Sequence, residues 1–385
     1  MSEKTNNFLK QTFSEYYRKY RNRIPRPSRF TEREFGYLPF EGFMQRHLAV
    51  SNFDSFIDEL IQKAPKGVYA SCSYYDDPSL PMEEKGWNGG DLAFDIDCDD
   101  LELKCKREHD RWICRDCKKV GTGLKPKACT KCKENKIAVL NWSCIKCLDA
   151  AKEEVIKLNN ILINDFGITK KEISIFFSGN KGYHLVVESQ VYEKLDKRDR
   201  REIVNYVLAK DLDLRYLGFD KKTSFQNLIS RLPAATDPGW GGRIIQFFEG
   251  YDTPEELVYS NTSEKVARIY NSKSIKFNPL FERAVKDLRS TIDPLVTSDT
   301  SRIFRLPNSL HEKSGLCKML CSSIDSFDPY INPVVIDDEP VKIEINFSPK
   351  FTLKGVAYGP YKKMTISLPK YAAIYLISNK LAQIV

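Results

Sequence analysis

Hydrophobic and polar positions alternate with a period of two in the run Gly90-Asp91-Leu92-Ala93-Phe94-Asp95-Ile96-Asp97. In an extended strand this alternation sends Leu92, Phe94 and Ile96 to one face and Asp91, Ala93, Asp95 and Asp97 to the other. The pattern around it predicts a mixed chain. Asn7 to Tyr20 reads as a helix, followed by a Pro- and Arg-rich linker from Asn22 to Arg29. Short strands are predicted at Arg33 to Tyr37 and Gln45 to Val50, a helix at Asp54 to Lys63, and a continuous strand at Val68 to Tyr75. The clearest helix is Asp149 to Phe166, where Val155, Leu158, Ile161, Leu162 and Phe166 recur at helical spacing. Strands at Ile173 to Phe177 and Tyr183 to Val187 flank a polar turn. Residues 190–290 read as helical, broken by a loop at Pro233 to Gly242. Strand patterning resumes at Thr291 and ends in a short helix near Tyr371 to Leu381.

Composition narrows this picture. The chain has 385 residues, 42% of them hydrophobic, so it can bury a substantial core. Lys and Arg exceed Asp and Glu by eight, a mild surplus that suits a polyanion partner as readily as plain solvation. No apolar leader or long apolar run is visible, and the reading is a soluble cytoplasmic protein. Seven of the eleven cysteines fall between Cys105 and Cys147, and six of these form C-x-x-C pairs. Such clustering points to metal rather than a disulfide framework.

Three groups of residues carry candidate chemistry. Asp95 and Asp97 lie roughly 6.6 Å apart along one strand face, where their carboxylates can converge on divalent cations such as Mg²⁺ or Mn²⁺. Ser178-Gly179-Asn180-Lys181-Gly182-Tyr183-His184 joins two strands, and its glycines free backbone N–H groups to face phosphate oxygens. Farther on, Asp293 and Asp299 are both candidates for a third acidic ligand, ahead of the cationic stretch Arg302, Arg305, His311 and Lys313. The cysteines divide into two sets. Cys114, Cys117, Cys129 and Cys132 have the spacing of a zinc ribbon. Cys105, His109, Cys144 and Cys147 bracket them as an outer set, which can equally be read as side chains packed beside a helix start. Cys72, Cys98, Cys317 and Cys321 read as buried small hydrophobes.

Together these motifs resemble the catalytic (small) subunit of the archaeal and eukaryotic replicative DNA primase, in its archaeal form. Met82-Glu83-Glu84-Lys85-Gly86-Trp87 leading into the D-x-D strand is similar to the family's M-E-x-K-x-W approach. Ser178 to His184 resembles S-G-x-R-G-x-H, with Lys181 in place of Arg. Arg305 to Gly315 resembles R-x-P-x-S-L-H-x-K-S-G, with Glu312 where Gly is common. The resemblance implies that Asp95, Asp97 and Asp293 bind catalytic metals, since Asp293 keeps the family's interval of 12 residues to Arg305. It implies that Ser178, His184, Arg305 and His311 contact the triphosphate, to which the turn itself adds Gly179 and Lys181, with Glu34 and Arg46 lining the same pocket. It also implies zinc at the outer cysteine set, which leaves the inner ribbon as an extra module.

The expected fold class is α/β (α+β), a primase-type core of mixed sheets flanked by helices. The core is expected to comprise residues 1–104, 149–189 and 291–385, with a zinc-binding module at 105–148 and a mainly helical insertion at 190–290. The expected activity is two-metal synthesis of primers from nucleoside triphosphates on single-stranded DNA. The implied partners are a large regulatory subunit and the replication machinery, with no membrane, in a nucleoid-associated location. The alternatives are a related repair primase-polymerase and a non-catalytic zinc-ribbon protein that binds nucleic acid.

Overall fold

The computed structural model describes residues 2–219, 223–253 and 257–385. The chain opens with α1 (Glu3–Lys19), whose N-terminus is capped by the Ser2 side chain accepting from the Thr5 N–H. Strands β1 (Phe35–Leu38) and β2 (Gln45–Leu48) follow, then α2 (Phe53–Lys63), which buries Phe53, Phe56, Ile57 and Leu60 on one stripe. The predicted strand from Val68 to Tyr75 is two strands, β3 (Gly67–Ser71) and β4 (Ser73–Tyr75). It breaks at Cys72, where the backbone changes partners: the Cys72 N–H reaches Arg302 O and the Cys72 carbonyl takes the Asp91 N–H. Strands β5 (Trp87–Gly90) and β6 (Leu92–Asp97) complete this segment.

The cysteine-rich segment holds a one-turn helix α3 (Lys106–His109) and strands β7 (Arg111–Cys114), β8 (Val120–Thr122) and β9 (Ile137–Leu140), which form a small sheet in the order β8–β7–β9. Helix α4 (Ile145–Asn164) starts four residues before the predicted Asp149. Cys147 and Leu148 are fully buried and lie one turn ahead of the buried Ala151 and Val155, so the apolar stripe extends into the cysteine pair. After α4 come β10 (Ile173–Phe177) and β11 (Gly182–Val187).

The chain divides into two compact units. The second comprises Glu154–Ile173 and Arg201–Ile292. Beyond α5 (Lys197–Val207), its helices α6 (Phe225–Arg231), α7 (Gly239–Glu249), α8 (Thr262–Asn271) and α9 (Phe277–Leu288) enclose a core that includes Leu228, Ile244, Phe248, Val266 and Phe281. The predicted loop at Pro233 to Gly242 is shorter than expected, because α7 already starts at Gly239.

The first unit, Met1–Glu153, Ser174–Arg200 and Asp293–Val385, holds the remaining strands. Helix α10 (Pro294–Ser298) precedes β12 (Ile303–Arg305) and β13 (Met319–Leu320). Strand β14 (Pro340–Ser348) is followed by β15 (Phe351–Leu353), β16 (Val356–Tyr358) and the long β17 (Tyr361–Pro369). The final helix α11 (Lys370–Ser378) is buried along its length and ends three residues short of the expected Leu381, and β18 (Ala382–Ile384) then pairs with β14. Two four-stranded sheets organise the unit, in the orders β12–β3–β1–β2 and β13–β10–β11–β6. No helix among the described residues is long and apolar enough to cross a membrane.

The pairing of β6 with β11 sets the register of everything that follows. Gly182 lies opposite Asp97, Tyr183 opposite Ile96 and His184 opposite Asp95. Opposed residues share a face, so His184 and the two aspartates point the same way, while Tyr183, Ile96, Leu185 and Phe94 are buried on the other side. Gly182 is required by space, since a Cβ there would lie 1.9 Å from Ile96 O. Gly182→Ala is expected to part the two strands at a cost of about 3 kcal/mol. A thermal midpoint lowered by roughly 6–12 °C checks this, and an unchanged midpoint contradicts it.

Candidate active site

Three carboxylates from two distant segments line one cavity of about 330 Å³. Asp95 and Asp97 reach it from β6. Asp293 arrives from far along the chain and is fixed by its own backbone, whose N–H donates to Asp95 O at 3.0 Å on the free edge of β6. The Asp293 side chain also caps α10, accepting the Leu295 N–H at 2.8 Å ahead of Pro294 at the first helical position. Asp299 is not among the lining residues. Its carboxylate accepts the Ser301 N–H at 2.9 Å and is held low by the two hydrogen bonds from Ser301, which outweigh its partial burial.

The carboxylates on this face of the strand have different fates. Asp91 is spent on structure: it pairs with Arg33 at 2.8 Å, accepts the Tyr74 hydroxyl, and its backbone carbonyl takes Arg200 Nη1 at 2.8 Å. Asp95 has no such neutralising partner. The His184 ring, whose Nε2 lies at 3.4 Å, carries no charge to offset it. Burial first, then the charges of Asp97 and Asp293, push its carboxyl up to about 7. Asp97 is pushed up to about 6, chiefly by burial, although its carboxylate accepts the Asp99 N–H at 2.9 Å. Crowded, partly desolvated carboxylates of this kind repel one another, and a divalent cation relieves that repulsion. The donor set, all oxygen, suits a hard cation.

Cationic and hydrogen-bonding groups complete the lining of the cavity. Ser178 Oγ accepts the N–H groups of Asn180 and Gly182 at 3.4 and 3.3 Å, closing the turn between β10 and β11. Gly179 sits at φ 93° and packs against His311, where a Cβ would lie 3.0 Å from His311 Cβ. Ser314 Oγ donates to Gly179 O and ties the turn to the loop after β12. Lys181 Nζ lies 2.7 Å from Asp99 Oδ2, so its charge is already partnered at the rim. His184 is buried and pushed well below the usual imidazole range by burial and by Lys318 and Arg305. Its ring packs edge-on against Phe304 at 4.6 Å, and it is neutral. His311 is depressed likewise, by burial, Arg305 and Lys313. Its Nδ1 accepts the Lys313 N–H at 3.1 Å, which leaves the proton on Nε2. Arg305 is held by Leu310 O and the Tyr69 hydroxyl, each at 2.8 Å, and pairs with Glu312.

Two residues expected to line this pocket sit beside it instead. Glu34 is fully buried and accepts Arg46 Nε at 2.7 Å, Lys85 Nζ at 2.9 Å and the His47 N–H at 3.1 Å. Burial alone would raise its carboxyl, but the bonds from Arg46 and Lys85 hold it below the usual range. Arg46 in turn donates to Ser301 O at 3.0 Å, next to the lining residue Arg302. The pair therefore buttresses the rim rather than lining the cavity. The cavity also includes Tyr69, to which no pattern along the chain assigns a role, and Arg302 of the predicted cationic stretch. Tyr69 is brought in by the β3–β12 pairing, directly opposite Arg305. Arg302 presents a buried Nε that finds no hydrogen-bond partner among the described residues.

The cysteines form two separate groups of ligands, each with its ligand atoms within 4.8 Å of one another. In the inner group Cys114 and Cys132, and Cys117 and Cys129, stand with sulfurs 3.5 Å apart. Tetrahedral thiolates about 2.3 Å from a zinc ion would stand roughly 3.8 Å apart. After each knuckle a lysine takes the left-handed conformation, Lys118 at φ 58° and Lys133 at φ 66°, so that its N–H returns to the carbonyl of Cys114 or Cys129. In the outer group Cys105 and Cys147 sulfurs are 3.5 Å apart, and His109 Nε2 lies 3.2 Å from Cys147 Sγ. Asp110 accepts His109 Nδ1 at 2.9 Å and so turns Nε2 towards the thiolates. All eleven cysteines are unbridged, and either group can hold a metal ion such as zinc.

Comparison with known proteins brings one family forward. Residues 140–320 match the family model described as DNA primase small subunit. Over its whole length the chain is 35% identical to the DNA primase small subunit PriS of Nitrosopumilus maritimus, across 100% of both chains. It is 34% identical to the PriS of Cenarchaeum symbiosum, over 99% of both. The PriS of Archaeoglobus fulgidus is 30% identical over 96% of both.

Proposed function

The chain belongs to the DNA primase small-subunit family, and we propose that it carries out template-directed nucleotidyl transfer, starting short primers from nucleoside triphosphates on single-stranded DNA. The observation that carries this reading is the shared cavity: Asp95, Asp97 and Asp293 line the same space of about 330 Å³ as the Ser178–Lys181 turn, His184, Arg305 and His311.

Asp95, Asp97 and Asp293 would hold Mg²⁺ or Mn²⁺. Such ions, when bound, supply Lewis acidity to the attacking 3′-hydroxyl and charge neutralisation to the leaving pyrophosphate. The chain's own groups position the reactants. The Ser178 hydroxyl, the Gly179 and Asn180 amides and Lys181 would take the triphosphate at the turn. Arg305 and Arg302 supply positive charge to the same cavity. His184 and His311, both neutral, serve as hydrogen-bond donors rather than as bases. Glu34 holds Arg46 against the Ser301 carbonyl and so fixes the rim. Zinc would fill the two cysteine groups as a structural ion. In this reading the protein works in the cytoplasm, at the nucleoid, as a heterodimer with a large regulatory subunit of the replication machinery.

Incubating the protein with unprimed single-stranded DNA, nucleoside triphosphates and Mn²⁺ is expected to yield a dinucleotide, and none without the metal. Product only when a primer is supplied would favour a repair polymerase. DNA binding without any product would favour a non-catalytic zinc-ribbon protein.

A further inference from the structure

Residues 115–136, the inner ribbon, hold eight Lys or Arg against two Asp or Glu, a surplus of six in a chain whose whole surplus is eight. All eight cations are exposed. Among the described residues, only Lys136 of the eight meets a carboxylate, Asp116 at 3.9 Å. A metal held by four thiolates removes two of the six charges and leaves the surface strongly positive. Solvation alone is met by mixed charge, and one sign gathered on a small scaffold costs self-repulsion unless a polyanion answers it.

A second feature adjoins the base of this ribbon. A groove of about 530 Å³ runs between β7–β8 and β14–β17, with Ile113, Val120 and Phe347 along its apolar floor. Arg111 stands on one wall and Lys362 and Lys363 on the other. Ile113 and Val120 are 39% and 58% exposed. The groove shares no lining residue with the catalytic cavity. An apolar floor between cations is what single-stranded nucleic acid takes, bases against the floor and phosphates on the walls.

We infer that the inner ribbon and this groove form a second contact for the single-stranded DNA template, apart from the cavity where nucleotides join. The identity of the strand rests on the primase reading, while the contact itself is tested by binding alone. The probe is a short deoxythymidine oligomer, titrated by fluorescence anisotropy across a range of salt. Replacing Lys118, Lys119, Lys131 and Lys133 by Gln is expected to weaken binding at least about tenfold near 0.1 M salt and to flatten the log–log salt slope by up to about 3. Asp95→Asn, which disables the cavity, should bind the oligomer like the wild type, so a failed catalytic assignment cannot imitate the result. Unchanged affinity and slope in the lysine variant, with its metal content intact, would overturn the inference. Should that variant lose metal, Lys362→Gln with Lys363→Gln decides the matter from the other wall: a slope reduced by about 1.4 supports the contact, and an unchanged slope overturns it.

Discussion

Asp95→Asn is expected to abolish primer synthesis, by a factor of about 10³ or more, while leaving the metal-free protein as stable as the wild type or more so. The loss follows from its position. Asp95 stands between Asp97 on its own strand and Asp293, which is bonded to Asp95's own carbonyl. A cation shared by the three loses a charged ligand, and several kcal/mol of transition-state charge stabilisation goes with it. The gain in stability follows from pKa. Burial and two carboxylate neighbours push Asp95 up to about 7, whereas an unfolded chain leaves an aspartate near ~3.9. The fold therefore favours the proton. Between about pH 4 and 7 the charge opposes folding increasingly, and above 7 the penalty is constant. Asparagine removes that pH dependence, so the metal-free variant should melt at or above the wild-type midpoint at pH 8. Mn²⁺ should stabilise the wild type and not the variant. A variant that retains synthesis, or that Mn²⁺ stabilises as much as wild type, would displace Asp95 from the metal site.

The sequence made the strand Leu92–Asp97 legible because alternation is local and the D-x-D lies within it. Asp293 was legible through a family interval, not through its surroundings, since nothing near it announces that its backbone docks on β6. What stayed hidden depends on pairings between distant segments. Tyr69 enters the cavity only because β3 lies beside β12, over two hundred residues on. Asp91 shares a face with Asp95 yet is neutralised by Arg33, whose role no spacing reveals. Lys85 reads only as one position of the Met82–Trp87 motif, and nothing in that motif shows that it is fully buried on Glu34. The same long-range bonding explains why Glu34 and Arg46 buttress the cavity, and why the strand drawn from Val68 to Tyr75 breaks at Cys72. Asp110 was missed for a simpler reason: an aspartate beside a ligating histidine carries no spacing signal of its own.

Metal removal should separate the two cysteine groups, because they are tied to the rest of the chain differently. The outer group closes a loop that begins immediately after Asp97. Lys106 Nζ holds the carbonyls of Asp99 and Leu101 at 2.8 and 2.7 Å, Cys98 lies against Ser143, and Tyr330 donates to Ser143 O at 2.9 Å. Cys147, fully buried in the first turn of α4, is the anchor of that loop. The inner group organises only its own hairpin and knuckles around Trp112 and Ile137. Structural zinc contributes its binding energy to folding, of order 10 kcal/mol in small sites. Cys147→Ser should thus lower metal content from two ions per chain to one, lower the thermal midpoint by about 10 °C or more, and take synthesis with it, since the end of β6 loses its restraint. Cys129→Ser should also remove one ion, yet leave the main unfolding transition within about 2 °C and leave Mn²⁺-dependent nucleotide binding intact. Elemental analysis with calorimetry on both variants distinguishes the cases. One ion in the wild type would remove one of the two sites, and a Cys147→Ser protein of native stability would show that the outer cysteines pack beside α4 without holding metal.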